Sequence, residues 1–371
     1  MKVAFIDLSR EWNFFENEFL KVFQEFGKKA QYVLGPYTEN FEKEFAASVG
    51  YRFAVGVSTG LTALETALRA YNIGEGDEVI TVGNSAVATS LAISYVGAHP
   101  VFCDIRENYL IDPDKIEKLI TPKTKAILPV HLFGAIADMR KINAIAQKYH
   151  LVIIEDACQA HGAKFFGENL INTKAYSFYP TKNLGALGEA GMILTNDEGI
   201  YKFAVAYRNY GQSGRYNHIL KGNNYRIDPI QCALLSKKLS HLNSFIQKRQ
   251  AIARGYVEHL REISDLDILP FDSTSAYHLF VVRVLSNRRD SLREYLLEQG
   301  VECLVHYPKT IYQQPCYAEY NNIKLDTTDR LQNEILSLPC YPFLTESEQT
   351  YILKKIKDFF MLGSPKADEK R

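Results

Sequence analysis

Two short segments carry residues whose types and spacing suit one class of reaction. Residues 152–156 read Val-Ile-Ile-Glu-Asp, a strand-like apolar run that ends in carboxylates, and Lys182 lies among apolar and small residues at 177–183. A lysine amine can hold an aldehyde as a Schiff base, and a carboxylate can keep a pyridine nitrogen protonated so that the ring withdraws electrons. With Lys182 as the first group and Asp156 as the second, these segments predict a site for pyridoxal phosphate.

Lys182 stands out because of its neighbours, since a lone lysine is usually a solvated surface residue. Phe178, Tyr179 and Pro180 could keep water away from its amine. A desolvated amine holds its proton less tightly, so it becomes a better nucleophile and can later act as a general base. Asp156 by itself could equally be a helix cap after a strand, although ligands also bind at the carboxyl ends of strands in open α/β sheets.

The phosphate group of such a cofactor requires hydrogen-bond donors, and residues 58–60, Ser-Thr-Gly, offer them. The strand-like run 54–58 ends there and a helix is expected to follow, so free backbone N–H groups and the positive helix end could bind an anion. Thr59 and Gly60 are therefore predicted to bind phosphate, and Ser177 could add a hydroxyl donor. Plain helix capping and an ordinary buried serine are the alternatives.

An alternation of strand and helix patterns places these residues in an α/β fold. Apolar runs of strand length alternate with stretches of helical period over the first two-thirds of the chain. This alternation predicts a parallel sheet covered on both faces. The predicted strands lie at 54–58, 79–82, 100–103 and 126–130, and the helices at 61–71, 112–120 and 138–149.

The chain is long enough for more than one domain. We predict a large domain over residues 1–240 and a smaller C-terminal α/β domain over 241–362 that includes a strand at 277–284. The polar tail 363–371 is predicted to be disordered.

Composition narrows the class of protein. Lys+Arg and Asp+Glu both number 43, so the formal charge is zero and no basic stripe indicates nucleic acid or an anionic membrane. The six cysteines form no C-x-x-C pair, the first residues lack a signal-like apolar core, and no apolar run approaches the roughly 20 residues of a membrane span. We expect a cytoplasmic enzyme with a small-molecule substrate and no metal site.

Two longer motifs resemble the DegT/DnrJ/EryC1/StrS family of nucleotide-sugar aminotransferases. They are Glu-Asp-Ala-Cys-Gln-Ala-His-Gly-Ala at 155–163 and Tyr-Ser-Phe-Tyr-Pro-Thr-Lys-Asn-Leu-Gly-Ala at 176–186. The resemblance covers nearly the whole chain, including 5–8, 34–36, 74–79 and 130–134. It implies an aspartate-aminotransferase-like fold (PLP fold type I) and a homodimer with a shared active site. It also implies a ping-pong exchange in which glutamate converts the cofactor to its amine form and a nucleotide-linked keto sugar then accepts the amine.

The resemblance assigns roles to individual residues. Lys182 would be the Schiff-base lysine and proton carrier, Asp156 the partner of the pyridine nitrogen, and Gln159 the side chain near the ring hydroxyl. Asn224 would reach the phosphate of the neighbouring subunit, although without the family it is an ordinary turn residue. The other assignments are phosphate binding by Thr59, Gly60 and Ser177, and lining of the sugar pocket by His306 and Tyr307.

Further motifs resemble the subgroup that aminates position 3 of dTDP-linked 3-keto-6-deoxyhexoses, a step of deoxysugar and glycan biosynthesis. These are 208–211, 216–217 and 224–231. Amination at position 4 is the alternative.

Three positions depart from the family pattern. Ala86 stands where an aromatic residue usually stacks on the cofactor ring, a contact worth about 0.5–1.5 kcal/mol beyond area burial. The segment 168–173 is shorter than the usual glycine-bearing loop, and Pro229 replaces a usual acidic residue of the subgroup.

Two other classes of protein remain to be weighed. Sugar dehydratases of the family carry histidine in place of the lysine, so Lys182 argues against that activity. A catalytically silent member that binds a ligand or partner is consistent with Ala86, but Asp156, Gln159, Ser177 and Lys182 argue against it.

Overall fold

A computed structural model of the protein describes residues 1–164 and 172–362. A seven-stranded sheet forms the centre of the larger part of the molecule. Its spatial order is β1-β7-β6-β5-β4-β2-β3, in which β7 runs antiparallel to both neighbours and the other neighbouring pairs are parallel. The strands are β1 (Phe53–Val57), β2 (Glu78–Val82), β3 (His99–Cys103), β4 (Thr124–Ile127), β5 (Val152–Asp156), β6 (Thr173–Ser177) and β7 (Gly191–Thr195). The predicted α/β fold with a mostly parallel sheet is thus observed.

Helices follow most strands along the chain and cover the sheet. They are α1 (Leu8–Lys29), α2 (Pro36–Val49), α3 (Gly60–Ala70), α4 (Ala88–Tyr95), α5 (Pro113–Ile116), α6 (Met139–Tyr149), α7 (Glu198–Tyr207) and α8 (Pro229–Leu239). Several begin at capping residues that the sequence shows. Asp7 caps α1 by accepting from the Ser9 N–H at 3.0 Å, and Asp138 caps α6 by accepting from the Lys141 N–H at 3.2 Å.

The helix predicted over 112–120 is shorter in the structure. Asp112 caps α5, but α5 has four residues and continues as a 3₁₀ turn, Glu117–Leu119, before the chain becomes extended at Ile120. Pro122 disfavours a helical conformation at the residue before it, which limits the helix at this end.

A second, three-stranded antiparallel sheet belongs to the C-terminal part. It has the order β10-β9-β8, and it packs with three helices in a separate apolar core. The elements are α9 (Leu242–Leu260), β8 (Leu266–Asp267), β9 (Phe280–Val284), α10 (Arg289–Glu298), α11 (Asp326–Glu334), β10 (Ile335–Leu338) and α12 (Glu346–Leu362), with 3₁₀ turns at Leu132–Gly134, Ile311–Gln313 and Pro315–Tyr320 elsewhere.

The strand predicted at 277–284 begins later, at Phe280. The residues before it bond instead to a turn of the large sheet: the Ala276 N–H donates to the Gly134 carbonyl at 2.9 Å and the Leu279 N–H donates to the Phe133 carbonyl at 3.2 Å. This connection holds the two parts of the molecule together beside the end of β4.

The N-terminal residues pack against the second core. Val3 is 1% exposed, its N–H donates to the Gly300 carbonyl at 2.8 Å and its carbonyl accepts from the Glu302 N–H at 2.9 Å. A boundary between residues 240 and 241 stays a proposal. Most of the loop 168–173, and the tail 363–371, lie outside the described residues. Within the described residues, no helix combines the length and apolarity needed to cross a membrane.

Candidate active site

The ends of β1, β7 and β6 meet at one edge of the sheet, because Gly191 pairs with Val57 on one side and with Ser177 on the other. A Cβ at Gly191 would lie 2.2 Å from the Thr59 carbonyl oxygen. The missing side chain therefore lets the start of α3 cross β7 and approach Ser177. Gly191 could have been recognised from the sequence, since a glycine at a strand start often marks such a close approach.

Thr59 and Gly60 begin α3 against β6. The Thr59 hydroxyl accepts from the Thr62 N–H at 3.0 Å, and the Thr62 hydroxyl accepts from the Thr59 N–H at 3.0 Å, which is a reciprocal cap. A Cβ at Gly60 would lie 2.6 Å from the Ser177 Cβ. The structure thus brings the three predicted phosphate binders together, and Thr59 serves as helix cap as well.

Asp156 is held at the end of β5 in a buried position. Its Oδ2 accepts from the Thr89 hydroxyl at 2.8 Å and its Oδ1 accepts from the Cys158 N–H at 3.1 Å. Thr89 lies 2.6 Å from the Ser85 hydroxyl. These bonds fix the carboxylate before any ligand arrives. Thr89 is a residue that sequence reasoning missed, since its contact with Asp156 depends on the packing of α4 against the sheet.

Gln159 connects the site to the C-terminal part of the chain. Its Oε1 accepts from the Phe133 N–H at 2.7 Å, and its Nε2 donates to the Tyr307 hydroxyl at 3.3 Å. Burial raises the pKa of Tyr307 to about 12, so this hydroxyl keeps its proton at neutral pH. Two of the predicted site residues therefore contact each other directly.

Lys182 lies in a tight turn after β6, with its N–H donating to the Tyr179 carbonyl at 2.8 Å. Burial lowers the pKa of its amine, while Cys158 and Asp156 act in the opposite direction. Phe178 is fully buried, as expected, but Tyr179 is 48% exposed and so excludes less water than predicted. The amine therefore sits between a desolvating protein wall and the Asp156 carboxylate.

A cavity of about 330 Å³ opens beside Lys182. His306 lines it, and its Nδ1 forms a hydrogen bond of 2.9 Å with the Ser337 hydroxyl. Burial, together with the charge of Lys182, lowers the pKa of His306 to about 4. The full lining is Phe5, Ile6, Tyr179, Thr181, Lys182, Arg249, His278, Leu279, Leu304, His306, Tyr307, Leu338 and Cys340. Both predicted sugar-pocket residues thus face the same space as Lys182.

Asn224 lies apart from this cavity, in an exposed position. It pairs with Asn209 in a short antiparallel bridge, and the next residue, Tyr225, accepts at its carbonyl from the Ser58 N–H at 2.9 Å. Its predicted contact is with a neighbouring subunit, so it stays a prediction.

Ala86 belongs to the turn that leads into α4. Its carbonyl accepts from the Thr89 N–H at 3.2 Å, which connects it to the residue that holds Asp156. Its methyl group presents less surface to this part of the site than the aromatic side chain usual in the family.

A buried ionic cluster lies behind Asp156 and was also missed by sequence reasoning. Glu155 accepts from Lys174 Nζ at 2.7 Å and from Asn172 Nδ2 at 2.9 Å, and its Oε2 lies 2.7 Å from His131 Nε2. Burial opposes ionisation, but the Lys174 charge lowers the pKa of Glu155 to about 2. The cluster ties the ends of β4, β5 and β6 together.

The residues present fit pyridoxal phosphate. The close approach at Gly60 leaves the first amides of α3 beside Ser177, where a phosphate would find donors. Asp156 offers an oriented buried carboxylate for a ring nitrogen, and Lys182 offers an amine whose proton is held less tightly than usual.

The model of the DegT/DnrJ/EryC1/StrS aminotransferase family matches residues 14–357. The chain belongs to this family. Membership of this aminotransferase family confirms the predicted fold, the enzyme class and the pyridoxal phosphate cofactor.

Individual family members resemble the chain over almost all of its length. A dTDP-3-amino-3,6-dideoxy-alpha-D-galactopyranose transaminase from Aneurinibacillus thermoaerophilus is 40% identical over 362 residues, which are 96% of this chain and 99% of the relative. The crystal structure of Streptomyces venezuelae DesV in complex with a ketimine intermediate superposes with a TM-score of 0.93 at 36% identity, covering 97% of this chain and 98% of DesV. NtdA from Bacillus subtilis with bound cofactor PMP superposes with a TM-score of 0.93 at 32% identity, covering 97% and 85%.

Proposed function

We propose that this aminotransferase moves an amino group from glutamate to a nucleotide-linked keto-6-deoxyhexose, at position 3 of a dTDP-sugar. The observation that carries the proposal is the shared cavity, in which Lys182 faces His306 and Tyr307. A relative that is 40% identical is named for a dTDP-3-amino sugar, and this supports the position and the nucleotide.

Pyridoxal phosphate, when bound, supplies an aldehyde that accepts an amine and a ring that withdraws electrons from the reacting carbon. Lys182 would carry the proton in both halves of the exchange: its Nζ would take a proton from the carbon that bears the donor amine and pass it to the cofactor, and in the second half it would move a proton the opposite way, to the sugar carbon that gains the amine. Asp156, held by Thr89, presents its carboxylate to the ring nitrogen. The amides at the start of α3 and the Ser177 hydroxyl bind the phosphate.

Tyr307 lines the cavity, and Gln159, which is bonded to it, would lie next to the cofactor ring. The Gln159 amide is fixed between the Phe133 N–H and the Tyr307 hydroxyl. His306 is neutral at pH 7, because its pKa is lowered to about 4, and a neutral imidazole can hydrogen-bond sugar hydroxyls without adding charge.

The proposal includes a homodimer in which Asn224 of one subunit reaches the phosphate of the other. Its exposure in the single chain is consistent with such a contact. We also place the reaction in the cytoplasm, where the six cysteines, all free in the structure, would stay reduced.

The first test is the visible absorption spectrum of the purified protein with pyridoxal phosphate, before and after addition of L-glutamate. We expect a visible band that glutamate removes. A band that glutamate leaves unchanged would exclude this donor, and the absence of any band would favour a silent member that has lost its site near Ala86.

The second test is an acceptor panel in which the nucleotide and the keto position vary independently. We expect amination of dTDP-linked 3-keto-6-deoxyhexoses, identified by mass and NMR of the product. Amination of 4-keto sugars alone would establish the position 4 alternative, and equal rates with UDP-linked sugars would remove the nucleotide assignment.

A further inference from the structure

Arg249 is a buried cation on the wall of the cavity that contains Lys182. It is 3% exposed, lies in the middle of α9 and lines this cavity together with Lys182 and His278. Burial lowers the pKa of the guanidinium. An arginine keeps its charge even so, and a buried charge is costly unless it is paired.

The hydrogen bonds of Arg249 leave one edge of its guanidinium free. Among the described residues, the acceptors of its side chain are the carbonyls of Tyr277, His278 and Cys340, all bonded to Nη1. Nε is buried without a partner. The three carbonyls hold the group in place, so the edge formed by Nε and Nη2 is preorganised for an acceptor, and none of the described residues supplies one.

No carboxylate satisfies this charge within residues 1–164 and 172–362. Arg249 forms no ion pair there, and Glu11, a nearby acidic residue, pairs with Lys238 Nζ at 2.7 Å. The lining of the cavity contains no Asp or Glu. His278, which is 7% exposed and has an unpartnered Nδ1, adds a second unsatisfied polar group at the same wall.

We infer that Arg249 binds a carboxylate of the amino-acid donor through the Nε edge of its guanidinium. The inference rests on the proposed function, whose donor is glutamate. A carboxylate accepts two parallel bonds from such an edge, which gives orientation as well as affinity. The keto sugar carries no carboxylate, so Arg249 would distinguish the donor half of the exchange from the acceptor half.

A nucleotide diphosphate is the other anion that the proposed substrates contain. The donor carboxylate is favoured because Arg249 lines the cavity of Lys182, where bonds to the amine are made and broken. This cavity of about 330 Å³ is at the small end of ligand pockets, which measure about 300–1,000 Å³. The diphosphate lies several bonds from the reacting carbon of the sugar.

The binding test uses the holoenzyme and glutarate, a dicarboxylate without an amine. In Arg249→Lys the charge stays but the planar fork is lost, and we expect the Kd for glutarate by calorimetry to rise at least about tenfold. Arg254→Lys is the matched control, since Arg254 lies on the same helix with its guanidinium over the Phe271 ring. The Kd for dTDP should stay within twofold in both variants.

Three results of this test would overturn the inference. They are an unchanged Kd for glutarate in Arg249→Lys, an equal change in Arg254→Lys, and a weakened affinity for dTDP alone. If Arg249→Lys does not fold, a crystal of the wild-type holoenzyme with glutarate decides, because its carboxylate must lie within hydrogen-bond distance of Arg249 Nε.

Separate half-reactions distinguish a failure of this inference from a failure of the proposed function. In Arg249→Lys we expect the KM for glutamate to rise at least about tenfold, while the half-reaction with a dTDP-linked 3-amino sugar keeps its rate within twofold. Equal losses in both half-reactions would make Arg249 a structural residue. If the wild-type enzyme does not react with the amino sugar, the proposed acceptor is wrong, and the glutarate titration still decides the role of Arg249.

Discussion

Lys182 illustrates how a single amine acquires its chemistry from its surroundings. The protein wall lowers its pKa, and the nearby Asp156 limits how far that pKa falls. The proton is therefore held loosely enough to be transferred and still lies close to a group that stabilises the charged form. This balance is what a residue needs if it must both give and take a proton in one reaction cycle.

Replacement of Lys182 by alanine is expected to reduce the rate of amino transfer by at least about 100-fold, because the proton carrier is lost. The overall rate with glutamate and a keto sugar is the measurement. Lys237→Ala removes an exposed lysine of α8 and should keep the wild-type rate. A Lys182→Ala enzyme with more than half of the wild-type rate would assign proton transfer to another residue.

His161 gives the folded protein a sensitivity to acid. His161 is 1% exposed, and burial lowers its pKa to about 3 from an ordinary value of 6.5. Between these values the unfolded chain binds a proton that the folded chain does not, so the free energy of unfolding falls as pH falls from about 6.5. His278 and His306 have pKa values lowered in the same direction.

His161→Phe is therefore expected to flatten the pH dependence of stability. As the pH falls from 8 to 5, His161 lowers the free energy of unfolding of the wild-type protein by about 2 kcal/mol. The variant should lose less stability over this range by that amount. Denaturant unfolding at both pH values measures it, with His259→Phe, a change at an exposed histidine, as control. Parallel wild-type and His161→Phe curves would contradict the prediction. The measurements stay above pH 4.5 because the pKa of Glu155 is lowered to about 2, so that its protonation changes stability at more acidic pH.

Helix α3 and strand β6 approach each other closely at the proposed phosphate end of the site. This contact depends on Gly60, since an added Cβ would lie 2.6 Å from the Ser177 Cβ and 2.8 Å from the Cys158 Sγ. Two elements that are far apart in the sequence thus pack against each other at the position where we propose that the phosphate binds.

Gly60→Ala is expected to lower the free energy of unfolding by about 1–3 kcal/mol and to weaken cofactor binding, because α3 must move away from β6. Gly27→Ala is the matched control on α1. Its Cβ would enter open space, so it should raise stability by about 0.5–1 kcal/mol. Unfolding curves and the Kd for pyridoxal phosphate test both variants. Unchanged cofactor affinity in Gly60→Ala would mean that the phosphate binds elsewhere.

The proposed homodimer is the largest scale at which the site would be organised. In the proposed homodimer, each site takes Lys182 from one chain and Asn224 from the other. Inactive chains of two kinds could then restore each other when they assemble together, since one site of each mixed dimer has both wild-type residues.

Mixing Lys182→Ala and Asn224→Ala chains after reversible dissociation should therefore recover activity, to about a quarter of the wild-type specific activity for random assembly. Asn224→Ala lacks the proposed phosphate contact and Lys182→Ala lacks the amine. Each variant alone should therefore have a specific activity well below a quarter of the wild-type value. Light scattering checks that the particles contain two chains. No recovery from a mixture that has exchanged subunits would place Asn224 in the site of its own chain or outside any site.

Most of the large sheet could be predicted from the sequence because its signals are local. Apolar runs of four or five residues marked β1 to β4, and carboxylates at the end of a fifth run marked the predicted active edge. The reversal of β7, the late start of β9 and the packing of Val3 with the C-terminal core could not be predicted. Each depends on pairing between residues that are distant in the sequence.

The sequence by itself determined the family, because the motifs around Asp156 and Lys182 are contiguous and specific, and it predicted these two residues as the ones that carry the chemistry. The tertiary structure alone decided how they are held. Thr89 orients Asp156, Gly191 lets α3 approach Ser177, and Gln159 bonds to Tyr307 across 148 residues of chain. The first two contacts form only when helices pack on the large sheet, and the third forms only when the C-terminal part folds against it. The burial of apolar surface between elements that are distant in the sequence sets these distances.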